Sequence, residues 1–389
     1  MRPRALAEAW VAYWAQLAPP TPLALIRVAL ALCALGTLAH MIWSGVLLWV
    51  WGDLEFGGYR QNAPGHWWWS FVPHTEAGLW GTVALAITAG VLVLVGLGGR
   101  ASSLALLILT MALTSINPES GGGHDRLLTN ALWLLVLSPA SATLSLDCRL
   151  RTGAWSDTTP RPAWTRDLFL FQLVLVYVTT GVQKIGGGDW MPWGEFMALH
   201  YALQLPSWQR WDVSGVLGSV TPLTQLATVG TMLFELGAPL LWLGVWAERH
   251  PEGGRVVRLA RRVHLRRGFV LAAVMFHVGI DALMNIGPFS WVSMSYLFAA
   301  FEHDGGEAGG AGEPQGVGRP ELTGRRLVGR SAQMLKNHVG VDGGYDGQME
   351  HGYSIGPLWA EPGSWEAIIR DGTTFFPAEM CMPPLLIEM

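Results

Sequence analysis

The sequence predicts an all-α protein, a polytopic helical membrane bundle of about seven or eight transmembrane helices followed by a Gly-rich C-terminal tail. Three observations predict it. Hydrophobic residues make up 51% of the 389 residues and charged residues only 14%, against about 25% charged in an ordinary soluble domain. The apolar residues gather in long runs, and about 20 residues of helix are enough to cross a bilayer. Trp is abundant, with 21 residues, and many stand beside the runs, where amphipathic rings anchor a helix at the membrane surface.

Spans are expected near 22–44, 77–97, 101–117, 126–143, 164–184, 222–247, 268–286 and 288–301. The third and the last are short. The last reads as re-entrant, or as a continuation of the seventh beyond a break at Gly287-Pro288. The first run is long enough to span and stay in the membrane rather than be cleaved as a signal. Residues 303–389 are rich in Gly and Pro, with no span and little periodicity, so a partly disordered tail is expected there. The predicted organisation is a membrane domain over 1–302 and a tail over 303–389.

Loop charges set the expected topology. Arg2 and Arg4, then Arg100, then Arg149, Arg151, Arg161 and Arg166, then seven arginines from Arg249 to Arg267 fall on one side if the spans alternate. The positive-inside rule makes that side the cytoplasm. The N-terminus and the tail of this multi-pass cell-membrane protein are then cytoplasmic. Arg27, just inside the end of the first span, reads as a snorkelling anchor. Trp67, Trp68 and Trp69 read as an interfacial belt. The net charge of -4 argues against a nucleic-acid partner. Cys33, Cys148 and Cys381 are too scattered for a disulfide framework or a metal signature, so no metal is expected.

One basic residue stands apart. Of 25 Lys plus Arg, only Lys184 and Lys336 are lysines. Lys184 sits in GVQKIGGGDW at the outward end of the fifth span, where the rule predicts no positive charge. A desolvated lysine gives up its proton and an arginine does not. The residue type therefore points to a base, with a snorkelling helix end as the plainer alternative. Tyr177, Thr180, Gly181 and Lys184 share one helix face, and Asp189 and Trp190 follow at once.

Other polar groups are expected to converge on it. The sixth span carries Thr224, Thr228, Thr231 and Glu235 on one stripe, and the seventh carries His277, Asp281 and Asn285 at i, i+4 and i+8. GGGHDRLLTN puts His124, Asp125 and Arg126 at the outer end of the fourth. Lys184, His124, Asp281 and Asn285 are expected toward the outer leaflet, Glu235 and His277 nearer mid-depth. Ionisable groups inside a membrane mark functional sites by default, so groups from four helices are expected to line one outward-opening cavity. Packing offers alternatives: a His277–Asp281 hydrogen-bonded pair, and a Glu235 that satisfies backbone broken near Gly237 and Pro239.

GVQKIGGGDW followed by HYAL resembles the signature of the HTTM (horizontally transferred transmembrane domain) family, which includes the vitamin K-dependent γ-glutamyl carboxylase. LALIRVALALCALG resembles the family's opening helix, and GGGHDRLLTNALWLL its histidine-containing segment. FELGAPLLWL and FHVGIDALMNIGPFSWVSMSYL resemble its late helices. The resemblance covers roughly residues 20 to 302. It implies a lyase of the carboxylase kind, in which Lys184 is the base on reduced vitamin K or another lipophilic hydroquinone and His124 assists. The anion then reacts with O2, the strong base so formed takes a proton from a substrate, CO2 adds, and the epoxide leaves.

On this reading the partners are the lipid bilayer, a quinone-like small molecule and a second substrate of unknown identity. Arg126, Tyr177, Thr180, Asp189, Trp190, Glu235, His277, Asp281 and Asn285 are the expected pocket residues. No stretch of the sequence resembles the large luminal domain that holds the carboxylase's protein substrate, so a small molecule, a lipid and a peptide all remain open. Two other readings stand beside the enzyme. One is a non-catalytic scaffold or lipid or quinone carrier. The other is a proton-coupled transporter running on His277, Asp281 and Glu235, a class often marked by internal repeats that are not seen here.

Overall fold

The structure is a computed structural model that describes residues 11, 14–60, 71–117 and 120–301. The predicted tail over 303–389 and the belt Trp67 to Trp69 lie outside the described residues. Ten helices carry the described fold: α1 (Thr21–Trp43), α2 (Glu76–Val95), α3 (Gly99–Thr114), α4 (Gly123–Leu137), α5 (Trp164–Ile185), α6 (Thr221–Leu236), α7 (Pro239–Arg249), α8 (Arg255–Arg262), α9 (Leu265–Leu283) and α10 (Phe289–Tyr296). Among the described residues the only sheet is a two-residue antiparallel pair, Leu17–Ala18 against Arg161–Pro162.

Four helical stretches of the described residues are long and apolar enough to cross a membrane: Thr21–Trp43, Glu76–Val95, Trp164–Ile185 and Ser214–Leu236. A fifth follows if α8 and α9, bent by 51°, count as one span. Helix α3 and the stretch Phe289–Ala300 are shorter apolar helices. The run expected as one span over 222–247 is broken. Helix α6 closes at Gly237, whose N–H donates to the Leu233 carbonyl at 2.9 Å, and Pro239, which has no N–H to give, opens α7. The break at Gly287-Pro288 appears where the sequence places it, with Gly287 in the left-handed region at φ 61°.

The helices are apolar on their outer faces as well as inside. Ile26, Leu30, Leu107, Leu132, Phe169, Leu173 and Tyr296 are buried in one core cluster, while Leu85, Phe171, Leu226, Leu233, Leu271 and Met275 are exposed. Such helices suit a lipid surround, where hydrophobicity no longer sorts inside from outside.

Arginines gather at the end of the bundle where α5 begins. Arg249 donates to Asp167 through Nη1 at 3.2 Å and Nη2 at 2.8 Å, and Arg166 reaches the same carboxylate at 3.4 Å. Arg266 pairs with Glu248 at 2.7 Å and donates to the Ala300 carbonyl at 3.2 Å. Arg151 and Arg161 share Asp157 at 3.0 and 3.3 Å. Hydrogen bonds from Thr159, followed by the charge of Arg161, hold the Asp157 carboxyl down at about 2. Two cavities open at this end. The larger, about 440 Å3, is lined by Arg166, Arg249 and His250 among others, and the smaller, about 230 Å3, by Arg100, Arg151 and Arg161 among others.

Arg27 corrects the sequence reading. It does not snorkel: the residue is 1% exposed. Its Nη1 donates to the Ala140 carbonyl at 3.0 Å and its Nη2 to the Leu144 carbonyl at 2.6 Å. The loop after α4 folds over the guanidinium, which meets carbonyls left over beyond a helix end. Arg27→Met keeps the stem but leaves both carbonyls unmet, at about 1–3 kcal/mol each. The variant is expected to melt well below wild type in the same detergent. An unchanged melting temperature would refute the anchoring role.

Candidate functional site

The site begins with a missing side chain. A Cβ on Gly181 would stand 3.0 Å from Leu236 Cδ2 and 3.1 Å from Glu235 Cβ. Glycine therefore lets the end of α6 lie directly on α5. One turn further, Lys184 reaches across that contact, and its Nζ lies 2.5 Å from Glu235 Oε1. The two side chains are 12% and 6% exposed, so most of the pair is out of water. Gly187 turns the chain back by donating to the Lys184 carbonyl at 3.0 Å, and this brings Trp190 over the amine. The ring centroid is 4.5 Å from Nζ, within cation–π range.

A second polar pair lies deeper. The Tyr177 hydroxyl and His277 Nε2 share a hydrogen bond of 2.6 Å, and the two residues are 2% and 0% exposed. Tyr177 stands two turns before Lys184 and within the field of Glu235. Aromatic rings close the space. Phe234 meets Tyr177 edge-on at 5.0 Å and packs on Phe269 at 5.1 Å and Phe276 at 4.5 Å. Phe289 faces His277 at 6.1 Å. In this dry setting Glu235 Oε2 and His277 Nδ1 are buried with no hydrogen-bond partner among the described residues.

The remaining expected residues separate into two groups. Thr180 lies beside Glu235 and gives its hydroxyl hydrogen to the Val176 and Tyr177 carbonyls, each at 2.9 Å. His124 packs on Gly287, where a Cβ would sit 3.4 Å from its Cε1, and its Nε2 is 3.4 Å from Asp125 Oδ1. Asp125 also caps α4 by accepting from the Gly122 N–H at 2.8 Å. The segment Gly287 to Phe289 thus touches both histidines, His124 at one end and His277 at the other. Arg126 and Asp189 are exposed. Among the described residues no hydrogen bond or ion pair links His124, Arg126 or Asp189 to Lys184 or Glu235.

The seventh-span stripe does not stay together. Asp281 pairs with Arg210 at 3.3 Å rather than with His277. It lies one turn nearer the end of α9, where the loop before α6 runs alongside. There the Arg210 N–H donates to the Leu283 carbonyl at 3.1 Å and the Asn285 N–H to the Trp208 carbonyl at 2.7 Å. The Asn285 side chain is exposed. The expected depths also change. Lys184 and Glu235 share one level, because the α6–α7 break falls at the end of α5 and α7 runs back along α5 to the Arg249–Asp167 pair.

Some residues were not singled out in advance. His200, 8% exposed, places Nδ1 3.4 Å from the Thr224 hydroxyl, and Thr228 accepts from the Leu199 N–H at 3.2 Å. The histidine of HYAL beside a threonine stripe was the available signal. Among the described residues no group of three or more His, Cys, Asp or Glu side chains is placed to hold a metal ion.

The model of the HTTM domain matches residues 16–251, more than half of the chain. The chain belongs to the HTTM family. The matched region runs from before α1 to just past α7 and takes in His124, Lys184, Trp190 and Glu235, while His277, Asp281 and Asn285 lie beyond it. No curated protein and no solved structure matches this HTTM protein. The domain and the apolar helices fit a membrane protein related to the membrane domain of the vitamin K-dependent carboxylase.

The buried pair makes a direct test. Removing one partner of a buried ion pair strands the other and costs about 3–5 kcal/mol, whereas replacing both with apolar groups is often neutral. Glu235→Leu alone is expected to lower the melting temperature strongly, and Lys184→Met/Glu235→Leu to recover most of the loss. Equal losses in the single and the double variant would mean that the two side chains are not coupled.

Proposed function

We propose that this HTTM protein is a multi-pass membrane enzyme that binds a lipophilic hydroquinone between its helices and takes a proton from it with Lys184. The observation behind the proposal is the hydrogen bond between Lys184 and Glu235, under Trp190 and beside a group of apolar rings. A base has to be free of its own proton before it accepts another. Glu235 offers that proton a place inside the protein, since it need only move from Nζ to Oε1. Two opposite charges held out of water each lose several kcal/mol of solvation, and this transfer removes both. It leaves a neutral amine and a carboxylic acid. An arginine at 184 has no such neutral form in a protein.

The residues present suit a ring with two hydroxyl groups. Glu235 Oε2 and His277 Nδ1 are buried hydrogen-bonding atoms without partners among the described residues, and Trp190 and Phe234 offer flat apolar contact. Vitamin K hydroquinone, or another lipophilic hydroquinone, supplies an acidic phenol and, with O2, the oxidising chemistry of epoxidation. CO2 is the co-substrate if the second substrate is carboxylated rather than only deprotonated. We assign His124 the supporting role, acting across the Gly287 to Phe289 segment. The arginine-rich end faces the cytoplasm by the positive-inside rule, with six or seven spans when the two shorter apolar helices are included and one more if α4 also crosses.

The transporter reading loses its polar stripe, because Asp281 turns to Arg210. A carrier that holds a quinone without reacting is the remaining alternative. The deciding experiment is incubation of the purified protein, in lipid, with vitamin K hydroquinone and oxygen, with epoxide measured by mass spectrometry. Wild type is expected to form epoxide. Lys184→Ala and Lys184→Arg are expected to lose at least about a hundredfold, the usual scale for a positioned base. A folded wild type that forms no epoxide from vitamin K or a panel of other quinols would leave the carrier reading in its place.

A further inference from the structure

Helix α8 has the sequence RVVRLARR and contains no acidic residue. It joins α7 to α9, turning into α9 at His264, which adopts a left-handed φ of 49°. On a helix of 100° per residue its side chains fall into three arcs. Val257 and Ala260 are buried against Ala247. Next to them Val256, Leu259 and Val263 form an apolar arc that is 63%, 60% and 56% exposed. The remaining arc holds Arg255, Arg258, Arg261 and Arg262, all exposed.

Among the described residues no salt bridge engages these arginines, and Arg258 donates only to the Gly253 carbonyl at 3.2 Å. An exposed apolar arc beside a basic one is the pattern of a helix lying in the surface of a bilayer. Helix α9, which continues from α8, is apolar enough to be part of a span, so α8 stands where a span meets that surface. Four arginines without an acid call for phosphate, and clusters of this size favour anionic lipid.

We propose that α8 is an interfacial helix that binds an anionic lipid leaflet, with Val256, Leu259 and Val263 in the acyl region and the four arginines on lipid phosphates. The assignment needs only the membrane setting and not the hydroquinone chemistry.

The test uses the full chain in nanodiscs of equal phosphatidylglycerol and phosphatidylcholine, with the retained lipids counted by native mass spectrometry. Wild type is expected to retain phosphatidylglycerol over phosphatidylcholine by about threefold or more, as local enrichment of anionic lipid at a basic cluster predicts. R255Q/R258Q/R261Q/R262Q is expected to lose most of that preference while melting like wild type in pure phosphatidylcholine. If the quadruple variant does not fold, R258Q/R262Q is expected to show a partial loss. An unchanged preference in a folded variant overturns the proposal, and is the result expected if an acidic protein rather than lipid covers the helix.

Discussion

A charge placed between membrane helices has to be answered from inside the same protein, because lipid tails offer it nothing. The described structure follows from that constraint at both ends of α5. At its start, Asp167 is held by arginines from α5 itself and from α7. At its finish, Lys184 is held by Glu235 of α6. These two pairs tie one continuous helix to the two halves of a broken one. The break at Gly237 is therefore part of how the bundle matches charges along α5.

Small residues decide where such matches can form. Gly181 brings the α6 backbone close enough for a carboxylate to meet the Lys184 amine without either side chain stretching into lipid. At Gly287 a Cβ would likewise meet the His124 ring. Phe234, Phe269 and Phe276 pack on one another and against Tyr177 and His277, so the polar atoms of that pair are held away from water.

Much of this was legible in the sequence. The apolar runs located the helices, and Gly287-Pro288 located the last break. Lys184 stood out because almost every other basic residue is an arginine. Helical spacing correctly put Tyr177, Thr180, Gly181 and Lys184 on one face, and the structure turns that face toward α6. The failures share a cause. A stripe on one helix names a direction but not what lies across it. His277 found Tyr177, while Asp281, one turn away, found Arg210 from a loop with no periodic signal. Arg27 was read as reaching outward because its position near a helix end says nothing about the loop that folds back over it. Depths inferred from alternating spans failed for Glu235, since an apolar run can break without losing its hydropathy.

The gathering of arginines at the start of α5 has a consequence for how the molecule answers acid and base. Arginine keeps its charge at every pH at which a protein stays folded, and the Asp157 carboxyl between two of them stays ionised down to about 2. The arginine charges at that end therefore do not vary across the physiological range. At the other end of α5 stands the one lysine among the described residues, Lys184, paired with Glu235. The choice of arginine over lysine almost everywhere else thus makes the two ends of α5 chemically unlike, with fixed cations at its start and a primary amine at its finish.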